Sequence, residues 1–145
     1  MDRLRRFCRL PRGERGLVLR ALCYTAGARV CVSALSFPAL CKLLAYRRWS
    51  PFATGSFRGA SNPSRDTIAW AVAAAGRLIP RSSCLSEAVA AHLMLRRGGW
   101  PAVLCLGVLR DARSGFHAHA CVESEGRVLV GRNAGEGFTR LARIG

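Results

Sequence analysis

The chain has 145 residues, half of them hydrophobic: enough for one compact domain, too long for a disulfide mini-protein and too apolar for a disordered chain. Its formal charge is +15, but Lys42 is the lone lysine, so 22 of the 23 basic residues are arginine. That bias reads as GC-rich coding. With no DNA- or RNA-binding motif beside it, the charge does not argue for nucleic acid, although an acidic peptide would still feel it.

In chain order, Arg3, Arg5 and Arg6 precede an apolar run, Leu17 to Ala28, which Arg20 interrupts and Arg29 ends. A second run, Val30 to Cys41, is closed by Lys42. Each run alone falls short of the roughly 20 residues that span a bilayer. The charges favour a cytosolic helical segment over a signal peptide. An Arg-rich amphipathic start is also suited to peripheral contact with anionic lipid. Pro11 opens the first helix, and Pro38 starts or kinks a second. Trp49 to Pro63, with its prolines, glycines and serines, reads as a loop or linker.

Ser64 is placed to cap a helix from Arg65 to about Arg77. Ser82 or Ser83 caps a strong helix over 84–97, which ends in Arg96-Arg97-Gly98-Gly99: cations at the negative dipole end, then glycine. The periodicity then changes. Strands are expected at 102–109, 116–123 and 127–130, with a tight turn at Glu125-Gly126 and a short element at 138–144. Helices followed by antiparallel strands make an α+β domain: a helical N-terminal segment, 1–60, before a core, 61–145.

The seven cysteines are irregularly spaced and form no CxxC, so zinc and thioredoxin chemistry are unsupported and a reducing cytoplasm fits. Cys23, Cys31, Cys41 and Cys105 lie in apolar runs and read as small buried hydrophobes. Cys84 differs, because it sits in the first turn of a helix. There the dipole and free N–H groups favour a thiolate and can hold an oxyanion. The alternative is a small buried residue beside a cap.

Strand alternation puts His117, His119, Cys121 and Glu123 on one face, with Ala118, Ala120 and Val122 on the other. Either histidine is a candidate base if this polar face lines a cleft. Otherwise it is simply a solvated strand face. His92 lies about 12 Å along the helix from Cys84, at 1.5 Å per residue, too far for a direct base. It reads as a half-buried packing residue.

Cys84-Leu85 at a helix start, Leu93 to Gly99 at its end, Leu106-Gly107-Val108, Ala118 to Glu123 and Arg127 to Gly131 follow in order. Together with the Ile68 to Val72 helix they resemble the transglutaminase-like leader peptidases of lasso-peptide biosynthesis, the protease half of a split B-protein. The likeness is firm from about residue 65 onward. It implies a papain/transglutaminase-like core, with its catalytic helix packed on an antiparallel sheet. It also implies Cys84 as nucleophile and His119 as base, 35 residues apart, with His117 a cleft neighbour.

The sequence departs from that family in two places. Cys121 stands where the family usually has Trp, and the family's third catalytic acid would fall near Gly131, where this chain has none. Asn133 is the candidate for that third role and Glu136 the other; both sit in a Gly-rich stretch where either could simply be exposed. The resemblance further implies removal of a precursor's leader peptide, with no metal or organic cofactor. A separate leader-recognition protein would deliver the precursor, and an ATP-dependent macrolactam synthetase would receive the core. The same Cys–His pair would also serve a transglutaminase-like acyl transferase, and a chain lacking the third member could be a non-catalytic interaction protein.

Overall fold

The computed structural model describes residues 10–45, 62–111, 113, 115–131 and 138–145. Among the described residues, four helices precede a four-stranded antiparallel sheet: α1 (Arg12–Ala34), α2 (Phe37–Ala45), α3 (Arg65–Leu78), α4 (Cys84–Arg97), β1 (Val103–Asp111), β2 (Gly115–Ser124), β3 (Arg127–Val130) and β4 (Phe138–Ile144). The strands lie in the order β3-β2-β1-β4.

The first apolar run and the start of the second, through Ala34, share one 23-residue helix, α1, which continues through Arg29; the rest of the second run enters α2. It is long and apolar enough by composition to cross a membrane, with a mean hydropathy of 1.3 over its best window. Here it serves the core. Leu17, Val18, Ala21, Tyr24, Thr25 and Ala28 form a buried face, and α1 packs on α3 and α4. Val30 on its other side is 66% exposed. Pro11 is the N-cap of α1, and Pro38 lies in the first turn of α2.

Ser64 caps α3 by accepting the Thr67 N–H at 3.1 Å. The segment before it is pinned to the end of α4, because Asn62 donates to the Gly98 carbonyl at 2.7 Å and the Trp100 indole to the Pro63 carbonyl at 3.1 Å. Helix α4 is buried along most of its length. It lies between α1 and α3 on one side and β2 on the other, where Val89, Met94 and Leu95 join Leu104, Ala120 and Val122 in one core.

The β2–β3 turn puts Glu125 and Gly126 at φ 49° and 76°, the paired positive values of a two-residue hairpin turn. The connection between the strands expected at 102–109 and 116–123 is shorter in the structure: β1 runs on to Asp111, which pairs with Gly115. The burial expected of the cysteines in apolar runs holds for Cys105 only. Cys31 and Cys41 are half-buried, and Cys23 is exposed on the outer side of α1. His92 is fully buried rather than half-buried, because α4 is packed from both sides.

Candidate active site

Cys84 is the first residue of α4. Ser83 is its N-cap and forms a reciprocal box with Ser86: the Ser83 hydroxyl accepts the Ser86 N–H at 3.2 Å, and the Ser86 hydroxyl accepts the Ser83 N–H at 3.0 Å. Glu87 N–H returns to the Ser83 carbonyl at 3.1 Å. The Cys84 and Leu85 N–H groups are left without a partner among the described residues. Two adjacent free amides at the positive end of a helix therefore flank the thiol, and Cys84 itself is exposed. The helix start is held in place from below: Ser82 donates to the Glu87 carboxylate at 3.0 Å, and Glu87 lies across the bare Cα of Gly76 on α3.

The histidine strand meets this helix start. The Cys84 thiol lies 3.8 Å from the carbonyl oxygen of Ala118, the residue before His119. The structure thus brings the two sequence contexts together, although no hydrogen bond joins the thiol to the His119 ring. The ring has contacts of its own. Its Nε2 is 3.1 Å from the Gly131 carbonyl oxygen, and Phe138 packs edge-on against it, with centroids 5.6 Å apart at 83°. His117 is exposed on the same strand face, opposite Leu109. Asn133 and Glu136 lie outside the described residues.

Sequence reasoning missed two of the groups that touch His119. Gly131 acts through its main chain, so no side chain marks it; the only signal was its place just after β3. Phe138 arrives from β4, the far edge of the sheet, through the pairing of Leu109 with Phe138.

His92 takes no part in this site. Burial, helped by the nearby positive charge of Arg96, lowers its pKa to about 4. Among the described residues both ring nitrogens lack a partner, as does the buried Thr25 hydroxyl.

Further along the outer face of β2, Cys121 pairs with Cys105 across the strands. Burial raises both thiols, Cys121 to about 11, with the Cys105 thiol adding to the effect there. They stay protonated at neutral pH, which leaves the exposed Cys84 as the accessible thiol beside the histidine strand. Cys105, Cys121 and Glu123 offer ligand atoms within 4.8 Å of one another, close enough for a metal ion. The Glu123 carboxylate is already matched, by Arg140 at 2.6 Å and Arg143 at 3.5 Å. A cavity of about 650 Å³ opens over this face, lined by Cys121, Glu123, Gly131, Phe138 and Arg140 among others. Two of those residues, Gly131 and Phe138, also touch His119, so the cavity adjoins the imidazole.

No curated protein and no solved structure matches the chain. The model of the transglutaminase-like superfamily matches residues 31–143, from within α1 into β4. The described helices and the four-stranded antiparallel sheet, an α+β arrangement, agree with that match. The chain belongs to the transglutaminase-like superfamily.

Proposed function

We propose that this protein is a cysteine peptidase that removes the leader from a ribosomally made lasso-peptide precursor in the cytoplasm. The observation that carries the peptidase part is the junction at Ala118. There, an exposed thiol flanked by two unpartnered amides abuts the strand whose histidine is already held at Nε2. The superfamily is compatible with cysteine peptidases and acyl transferases alike. The leader substrate is drawn from the sequence resemblance, together with its partners: a separate leader-recognition protein and an ATP-dependent macrolactam synthetase.

The chemistry follows from the parts. The reaction requires the exposed thiol to leave the Ala118 carbonyl for the imidazole; substrate-free sites commonly hold looser contacts than reacting ones. His119 takes the thiol proton. The sulfur attacks the carbonyl at the leader–core junction, and the Cys84 and Leu85 amides receive the oxyanion. His119 then protonates the leaving amine, and the core peptide departs. The leader stays as a thioester on Cys84. Water, giving a proton to His119, releases it as a free carboxylate and restores the thiol.

Mass spectrometry of a lasso precursor incubated with this protein and its recognition partner tests the proposal. Two fragments whose masses sum to precursor plus water, absent with Cys84→Ala, are expected. A product joined to an amine would assign acyl transfer instead. An intact precursor, with leader binding by the partner confirmed, would refute both.

A further inference from the structure

We propose that the main-chain carbonyl of Gly131 is the orienting third member of this site, standing where related enzymes place an acid. The inference rests on His119 as the base. A carbonyl oxygen only accepts hydrogen bonds, so the 3.1 Å contact requires a proton on His119 Nε2. The neutral ring then carries its lone pair on Nδ1, the nitrogen left to take the thiol proton. Gly131 is a positioning residue: it touches no substrate and acts by fixing the tautomer and the ring plane.

The backbone is built for this approach. Gly131 has φ 84°, a left-handed conformation, and a Cβ there would stand 2.5 Å from the Ala120 carbonyl oxygen and 2.8 Å from Cys121 Cβ. Only glycine lets the chain leaving β3 press onto β2 next to His119. A second glycine completes the seat. Gly107 lies directly across from His119 in the β1–β2 register, and a Cβ on it would stand 2.7 Å from the Phe138 ring. Its bare Cα lets Phe138 reach the edge of the imidazole. A neutral carbonyl stabilises the imidazolium less than a carboxylate would, but it accepts the Nε2 proton in both protonation states of the ring.

The test uses the full chain labelled with ¹⁵N-histidine, the His119 signals being assigned by their loss in His119→Gln. The neutral ring is expected to show a protonated Nε2 and an unprotonated Nδ1; the opposite tautomer would overturn the proposal. A second protein is assembled by ligation at Cys121, with the amide after Gly131 replaced by an ester, which weakens that carbonyl as an acceptor. Its kcat on a cleavable precursor should fall about 10-fold with KM nearly unchanged, the loss of part of a charge-assisted bond. An unchanged kcat, or loss of activity on Asn133→Ala while the ester retains it, would overturn the assignment. Full turnover by His119→Ala would refute the base itself, a failure separable from the tautomer result.

Discussion

Replacing His92 with leucine should remove most of the protein's sensitivity to mild acid. The native ring is fully buried with neither nitrogen partnered among the described residues, and burial together with the positive charge of Arg96 lowers its pKa from 6.5 to about 4. Between those two values the unfolded chain binds a proton that the native state refuses, so stability falls as pH drops from 6.5 toward 4. At about 1.36 kcal/mol per unit, the full loss is about 3 kcal/mol. That is a large share of the roughly 5–15 kcal/mol that holds a domain of this size folded. Urea unfolding at pH 7, 5.5 and 4.5, wild type beside His92→Leu, isolates this contribution because carboxylate protonation is common to both. The variant should be at least as stable at pH 7, having lost two unpaired buried nitrogens, and should hold its stability better toward pH 4.5. Parallel pH curves for the two proteins would refute the reasoning.

Other perturbations address the site and its seat. Ser83→Ala removes the acceptor of the Ser86 N–H and should cost about 1 kcal/mol in urea unfolding while lowering turnover by fraying the turn that bears Cys84. Gly107→Ala forces Phe138 and the β4 backbone away from His119; a loss of about 1–3 kcal/mol on unfolding is expected, with a fall in kcat. Because the native fold raises the Cys121 thiol from 9.0 to about 11, the unfolded chain ionises first, and stability should decline as pH rises past about 9; unfolding at pH 8 and 10 checks this. Timed alkylation followed by peptide mapping should label exposed Cys84 and Cys23 well before buried Cys105 and Cys121.

The local elements were legible because their signals are local. The 84–97 helix is bounded by Ser83 and Gly98, each acting within its own turn, and the structure gives Cys84–Arg97. Glu125-Gly126 marks its hairpin by the backbone angles it must adopt. What depends on packing was harder to read. Arg29 ends the apolar run Leu17 to Ala28, but a half-buried arginine on a helix flank does not end the helix, and α1 runs through it. The burial of His92 depends on α1 and β2 closing over α4 from opposite sides, and sequence spacing within α4 carries no trace of that. The Cys84 and His119 contexts each had a bland alternative in isolation; the contact at Ala118 that unites them is tertiary. The carbonyl of Gly131 has no side-chain signature at all.

Cys84 as nucleophile is the claim on which the functional account turns, and a covalent intermediate tests it most directly. Precursor, recognition partner and enzyme are mixed, quenched in acid within the first turnover and measured by intact-protein mass spectrometry. The account predicts a transient species heavier by the leader acyl group, mapped to Cys84, discharged by hydroxylamine and absent in Cys84→Ala. Leader release by Cys84→Ala at the wild-type rate, or an acyl group mapped to another residue, would contradict it.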